Sequence, residues 1–161
     1  MGGTADRSLE GAAVKWGAAT VEAVNHIARG LRPEDVREVW ASHRLTPMEA
    51  VVFSWAESRI VRAVETDEGV PVALTGVVGD RIWLLGTREL TATPRRRFQL
   101  CREGRQWVEY LLQETGVVLR NDVYAKNVAS VAWLKRLGFT VDPARPLGDS
   151  CELFHHFWRC P

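Results

Sequence analysis

Three consecutive arginines, Arg95, Arg96 and Arg97, end a polar stretch (residues 88–97) that precedes a predicted long helix over residues 98–115. Guanidinium groups form charge-assisted hydrogen bonds with phosphates and other anions. The N-terminal end of a helix also attracts anions, because its free N–H groups and its dipole both favour negative charge. The pattern is therefore compatible with an anion site here, but it does not favour one. The alternative is a solvated basic loop, or one docked on an acidic partner.

Side chains that can donate or accept a proton are spread along the chain. Tyr124 and Tyr110 are the two tyrosines available as a general acid. Cys101 lies in the first turn of the predicted long helix, where the pKa of a thiol can be lowered. No spacing signature links this cysteine to a base, so thiol catalysis is disfavoured. The candidate general bases are Glu57, Asp122, His26, His43, His155 and His156. For each histidine a structural or surface role is the favoured interpretation.

The elements that would position these groups are clearest over residues 121–139. A β-rich apolar run over residues 117–124 predicts a strand. Asn127 is a good N-cap for the helix that follows, since its side-chain oxygen can accept from N–H groups of the first turn. That helix is apolar nearly all round and is expected to be mostly buried. Gly138 stands where a helix end requires positive φ, and Phe139 then re-enters the core.

This layout resembles the C-terminal half of the GNAT superfamily of acyl-CoA-dependent N-acyltransferases. The pattern of that superfamily is an Asn, a small residue three positions on, a Tyr seven positions on, and Gly-Phe eleven and twelve positions on. Asn127, Ser130, Gly138 and Phe139 match it, whereas Leu134 stands in the Tyr position. In the superfamily that Tyr is the usual acid for the departing thiolate, a role that a leucine is unable to fill.

The resemblance implies acetyl-CoA as the cofactor and assigns residues to it. In the superfamily a Gly-rich turn after the fourth strand holds the CoA pyrophosphate at the N-terminus of the next helix. Arg95, Arg96 and Arg97 occupy that place in a stretch without glycine, and they are the expected phosphate contacts if CoA binds. Asn127 and Ser130 are helix-cap and packing residues first, and cofactor-binding residues second.

Two classes of function follow from this pattern. The first is an N-acetyltransferase acting on an unknown amine, in which Tyr124, after the splayed fifth strand, would supply the acid. The second keeps the fold without catalysis and acts as a structural or assembly protein through protein–protein contacts. The missing glycines and the missing Tyr favour the second class. A virion-associated role is suggested by phrases similar to GNAT-like proteins of short-tailed phages, at residues 83–87, 119–121 and 133–139.

The rest of the chain completes the element order of the superfamily, β-α-α-β-β-β-α-β-α-β-β. This order predicts an α+β fold with a mixed, mostly antiparallel central sheet flanked by helices. A first strand is expected at residues 21–27. Pro33 in a first turn predicts a helix at residues 31–40, and a capping box from Thr46 to Glu49 predicts another. An antiparallel meander and a final strand are predicted at residues 60–65, 70–78, 81–87 and 152–158.

The composition is that of a soluble globular protein of 161 residues. We expect one domain over residues 21–161, preceded by an arm at residues 1–20. The net charge of +1 argues against a nucleic-acid or anionic-membrane surface. Three cysteines without metal-ligand spacing predict reduced thiols and no metal site. With no signal-peptide pattern, the expected location is the cytoplasm of a host bacterium or a phage virion. Seven tryptophans suit contacts with other proteins or self-association.

Overall fold

The computed structural model describes residues 14–161, which form one sheet with helices packed on both faces. The strands are β1 Val14–Gly17, β2 Ile60–Thr66, β3 Pro71–Val78, β4 Arg81–Gly86, β5 Leu119–Tyr124, β6 Thr140–Val141, β7 Arg145–Leu147 and β8 Glu152–Arg159. The helices are α1 Val21–Arg29, α2 Pro33–His43, α3 Pro47–Glu57, α4 Pro94–Thr115 and α5 Val128–Arg136, with a short 3-10 turn at Arg88–Thr91. The sheet order is β1-β2-β3-β4-β5-β8-β6, with β7 beside β8.

The predicted meander is confirmed, since β2, β3 and β4 pair antiparallel in succession. The final strand β8 is also confirmed and pairs antiparallel with β5. Among the pairings of residues 14–161, that between β4 and β5 is the parallel one. The expected α+β class, with a mixed and mostly antiparallel sheet, is therefore correct.

The capping box predicted at the start of α3 is present in full. Thr46 Oγ1 accepts from Glu49 N at 3.3 Å, and Glu49 Oε2 accepts from Thr46 N at 2.8 Å. Each bond satisfies an N–H group that the helix itself leaves without a partner. Pro33 likewise begins α2, as its fixed φ and missing N–H favour.

The strand predicted at residues 21–27 is wrong, because this segment is helix α1. Thr20 Oγ1 accepts from Ala23 N at 3.2 Å and caps the helix. Val24, Ile27 and Ala28 recur at helical spacing and are buried. The first described strand lies earlier, at β1, inside the predicted arm, where it pairs with β2. Residues 1–13 of that arm lie outside the described residues.

Helix α4 begins four residues before the predicted start. Thr93 is its N-cap, with Oγ1 accepting from Arg96 N at 3.2 Å, and Pro94 occupies the first helical position. The arginine run therefore belongs to the first turn of the helix and not to a loop. At the other end, Gly116 stops the helix with φ 64°, directly after the predicted last residue, 115.

Helix α5 was predicted to be mostly buried, and this is wrong for most of its surface. Leu134 is its buried residue, whereas Val128 is 71% exposed. Asn127 takes the N-cap position, but its side chain makes no capping hydrogen bond. Gly138 has φ 86°, which confirms the predicted turn, and Phe139 is buried.

The two faces of the sheet carry separate cores. Helices α1 and α3 cover the face on which Leu74 and Leu85 lie. Helices α4 and α5 cover the face of Val77 and Ile82. Among residues 14–161 no helix is both long enough and apolar enough to cross a membrane.

Candidate functional site

Strands β4 and β5 touch only at one end, and this opens the sheet. Their parallel ladder has a single register position, Arg81 opposite Arg120, supported by Arg120 N donating to Asp80 O at 2.9 Å. One step further, the side chain of Asn121 replaces the backbone and donates to Ile82 O at 2.8 Å. Beyond that point the strands diverge toward their carboxyl ends.

The divergence forms a cleft of about 450 Å³ that reaches both faces of the sheet. Glu38 and Val39 of α2 and Phe53 of α3 line one side of it. Ser130 and Leu134 of α5 line the other side. An apolar cavity with a few convergent polar groups is the usual form of a binding site, which makes this cleft the candidate functional site.

A polar face of α2 borders the cleft, with Arg32, Asp35 and Glu38 three residues apart. Asp35 Oδ2 accepts from Gly86 N of β4 at 3.0 Å and pairs with Arg32 Nε at 2.9 Å. Arg32 also donates to Ser130 Oγ of α5 at 3.3 Å. Glu38 Oε2 accepts from Tyr124 N of β5 at 3.1 Å and from Asn127 Nδ2 at 3.4 Å. These residues therefore connect both diverging strands and α5.

Both carboxyls of this face have raised pKa values. Burial raises the pKa of Asp35, although the neighbouring Arg32 guanidinium and the Gly86 N–H oppose it. Burial, and then the charge of Asp35, raise the pKa of Glu38 from 4.5 to about 7, against the N–H groups of Tyr124 and Asn127. A carboxyl that titrates near neutral pH can accept or release a proton under working conditions.

Tyr124, the expected acid, does not line the cleft, although its backbone N–H donates to Glu38. Its phenol donates to Glu152 Oε2 at 2.9 Å, and its ring packs on Phe154 with centroids 5.2 Å apart. The ring belongs to a small cluster with Ala41 and Phe154, beside the cleft. The phenol thus already has a carboxylate partner outside the cleft lining.

Ser130 and Leu134 line the cleft from α5, whereas Asn127, at the N-cap position of that helix, does not line it. The Asn127 amide is used on Glu38, and the Ser130 hydroxyl accepts from Arg32. Leu134 lines the cleft and is buried, so an apolar side chain stands where the superfamily places its Tyr.

The arginine run at the start of α4 makes internal bonds. Arg96 pairs with Glu89 at 2.9 Å and donates to its carbonyl. Arg97 donates to Thr91 O at 3.0 Å. The run thus folds back on the preceding 3-10 turn.

The candidate bases are distributed, and two of them reach the cleft. Asp122 lines the cleft and contacts His156 Nδ1 at 3.2 Å, its partner across β5 and β8. His43 also lines the cleft, but its ring contacts Ser42 of its own helix. His155 projects from the opposite face of β8 and bonds Asp142 O at 2.7 Å. The other candidate bases, His26 and Glu57, do not line the cleft. Cys101, the candidate thiol, does not line it either.

Sequence reasoning missed Arg32, Asp35 and Glu38 as site residues. In the sequence, Asp35 is simply a favourable charge in the first turn of a predicted helix. A usable signal existed, because charged residues at spacings of three share a face of the helix. Their role depends on the position of α2 against the open sheet, which the spacing alone does not give.

Solved structures share this architecture. The described chain superposes on spermidine N-acetyltransferase from Vibrio cholerae, solved with CoA and spermine, with a TM-score of 0.66 and 9% identity, covering 91% of this chain and 95% of that one. A GNAT-family acetyltransferase from Bacillus anthracis gives a TM-score of 0.65 at 9% identity, covering 91% and 94%. The chain has the GNAT fold.

Other comparisons set the limits of that statement. The YjaB protein of Escherichia coli in its apo form matches with a TM-score of 0.56 and 17% identity, covering 90% of this chain and 96% of that one. Identities this low establish the fold alone. No family model and no curated protein sequence matches the chain.

At two places the residues present do not fit CoA in the manner implied by the fold. A pantetheine arm carries amide groups, which pair with free strand edges. At the carboxyl end of β4 that edge is already used, since Arg32 N donates to Gly86 O at 2.9 Å, Asp35 Oδ2 accepts from Gly86 N, and Leu31 bridges Thr87. At the start of α4, Pro94 lacks an N–H group and Thr93 caps the N–H of Arg96.

In the described part of the chain, the side chains that could bind a metal ion are not clustered. No group of three or more His, Cys, Asp or Glu side chains within residues 14–161 is arranged to hold a metal ion. The carboxyls that line the cleft are Asp35 and Glu38 of α2 and Asp122 of β5.

Proposed function

We propose that this chain is a GNAT-fold protein without acyltransferase activity that acts through contacts with other proteins. The observation that carries the proposal is the occupied carboxyl end of the β4 edge. Leu31, Arg32 and Asp35 pair with Gly86 and Thr87, where an extended amide chain would need free hydrogen-bonding groups. A ligand would have to displace these bonds and the ion pair within them.

Two further features support the absence of acyl transfer. Leu134 provides no proton for a departing thiolate, and general acid–base help is typically worth about 10²–10⁴-fold in rate. The guanidinium groups of Arg96 and Arg97 are engaged with Glu89 and Thr91, so phosphate binding would cost the existing bonds. These costs act at separate places in the chain and weaken CoA binding together.

A structural or assembly role, associated with a phage virion, is the finer form of this proposal. It is supported by the sequence phrases that resemble GNAT-like proteins of short-tailed phages. Large exposed apolar side chains provide material for contacts, among them Trp40 at 51%, Phe53 at 55% and Phe98 at 68% exposure. Aromatic anchors of this kind tend to dominate the energy of protein interfaces.

The deciding experiment is a calorimetric titration with acetyl-CoA at low ionic strength, joined to a turnover assay with a panel of amines. We expect no heat beyond dilution and no turnover above background. Replacing Arg95, Arg96 and Arg97 together with Ala should change neither result. Turnover above background with any amine would overturn the proposal and restore the enzyme, and its loss in Tyr124→Phe would assign the acid to Tyr124.

Sedimentation velocity tests the second half of the proposal. We expect the wild-type protein to self-associate or to bind a co-purifying partner, and Phe98→Ser to reduce this association. Arg102→Ser, an exposed change on the same helix, serves as the matched control. A monomer with no partner, unaffected by Phe98→Ser, would contradict a role in assembly.

An acetyl-CoA-dependent N-acetyltransferase is the second candidate function. The observation that favours it is the raised pKa of Glu38 in the cleft. A cleft carboxyl with a pKa of about 7 suits a general base that takes the proton of an amine. Under this candidate, Glu38→Gln abolishes turnover, whereas Arg37→Gln on the exposed face of α2 leaves it intact.

A further inference from the structure

Opening a sheet exposes backbone groups that need partners. Where β4 and β5 diverge, each strand loses the neighbour that would have bonded its N–H and C=O groups. Buried backbone groups in folded proteins are almost always paired, so the partners of this edge must come from elsewhere.

Helix α2 supplies partners to one residue of each strand. At β4, Asp35 Oδ2 takes Gly86 N at 3.0 Å and the backbone of Arg32 donates to Gly86 O at 2.9 Å. At β5, Glu38 Oε2 takes Tyr124 N at 3.1 Å. The two acids are one helical turn apart, so each reaches a different strand from the same face.

The same helix also engages α5. Arg32 donates to Ser130 Oγ at 3.3 Å, and Asn127 donates its Nδ2 to Glu38 at 3.4 Å. This second bond explains why Asn127 stands at the N-cap position without capping its helix. Its side chain is directed to α2 instead of to the first turn of α5.

We propose that helix α2 is a permanent internal ligand of the open sheet, with Arg32, Asp35 and Glu38 holding β4, β5 and α5 at a fixed separation. We name these three residues the α2 clamp. Because the chain carries this ligand itself, the open form of the sheet is maintained without a bound molecule. The α2 clamp operates whether or not the protein is an enzyme, so its test is separate from the acetyl-CoA titration.

The charged groups around Glu38 determine which NMR resonances report on the α2 clamp. The other charged or titratable side chains lining the cleft are Arg32, Asp35, His43, Arg81 and Asp122. Beyond Tyr124, Lys126 and Glu152 pair with each other at 3.6 Å. Glu38 bonds the Tyr124 amide directly, so its titration should move the resonance of that amide more than the resonance of Gly86.

The main test is amide hydrogen exchange by NMR on the full chain. In the wild type, we expect the Gly86 and Tyr124 amides to exchange at least about 100-fold more slowly than in an unstructured peptide. Glu38→Ala should accelerate Tyr124 about tenfold or more relative to Gly86, and Asp35→Ala should do the reverse. Arg37→Ala, on the exposed face of the same helix, should change neither.

Two outcomes overturn the proposal. One is rapid exchange of either amide in the wild type. The other is an equal acceleration of both amides in both alanine variants, which would mean that the acids act only through global stability.

A conservative variant keeps the proposal testable if the alanine variants fail to fold. Glu38→Gln retains an oxygen that can accept from Tyr124 N while removing the titration. In the wild type the Tyr124 amide shift should titrate with a midpoint near 7, and in Glu38→Gln this titration should vanish. A titration that persists in Glu38→Gln would assign it to another group and contradict the α2 clamp at β5.

Discussion

At the scale of single residues, Glu38 is subject to opposing effects. The N–H groups of Tyr124 and Asn127 favour its charged form, whereas burial and the neighbouring Asp35 oppose it. The second pair prevails, since the pKa rises from 4.5 to about 7. The folded protein therefore binds a proton on this carboxyl more tightly than the unfolded chain does.

This difference makes stability depend on pH in a defined window. The stabilisation from protonating Glu38 is fully present below pH 4.5 and is lost as the pH rises through about 7. Because one pKa unit corresponds to about 1.4 kcal/mol, the loss is on the order of 3 kcal/mol. Glu38→Gln should remove this pH dependence. The free energy of unfolding of the variant, relative to that of the wild type, should therefore increase between pH 5 and pH 8. Denaturant titrations at both pH values measure this, and parallel changes in the two proteins would contradict it.

Gly138 supports a prediction that depends on backbone conformation alone. Its φ of 86° lies in the region that β-branched residues avoid. Gly138→Val should lower the free energy of unfolding by about 1 kcal/mol or more, measured by denaturant unfolding. Gly138→Asn is the matched control and should cost less, since Asn tolerates positive φ. Equal stability of Val and Asn variants would show that conformation is not the cause.

At the scale of elements, the sequence predicted best where a helix or turn carries its own end signal. The capping box at Thr46 and the glycines at 116 and 138 are such local signals, and all stand as predicted. Residues 21–27 failed because valines and alternating polar residues suit a strand as well as a helix. Strand β7 was not predicted, since Arg145–Leu147 is held by its pairing with β8 and not by its own pattern.

The contact between α4 and α5 gives a prediction about packing. A Cβ added at Gly104 would lie 3.1 Å from Trp133 Cζ2 and 3.3 Å from Leu137 Cδ2. Gly104→Leu should therefore destabilise the protein by roughly 1–3 kcal/mol, despite the better helix propensity of leucine. Gln106→Leu, an exposed change on the same helix, should be nearly neutral. Thermal unfolding of the two variants compares them directly, and similar values would mean that the helices separate easily.

At the scale of the whole molecule, the fold followed from the order of its elements, but the site did not. The match over Asn127, Ser130, Gly138 and Phe139 and the order of the elements after α3 were sufficient to predict the GNAT architecture, although the first strand was misplaced. The α2 clamp depends on how a helix near residue 35 meets strands near residues 86 and 124, and no local pattern encodes that meeting. Tyr124 illustrates the same limit, since its phenol turns to Glu152 while only its backbone faces Glu38.

The separation of these partners along the chain has a consequence for the speed of folding. Asp35 and Gly86 are 51 residues apart, and Glu38 and Tyr124 are 86 apart. Closing loops this long is entropically costly, so such contacts tend to form late. Interactions absent from the transition state act mainly on the unfolding rate. We expect stopped-flow measurements on Glu38→Ala to show faster unfolding with little change in refolding, so that α2 acts as the last part of the molecule to close.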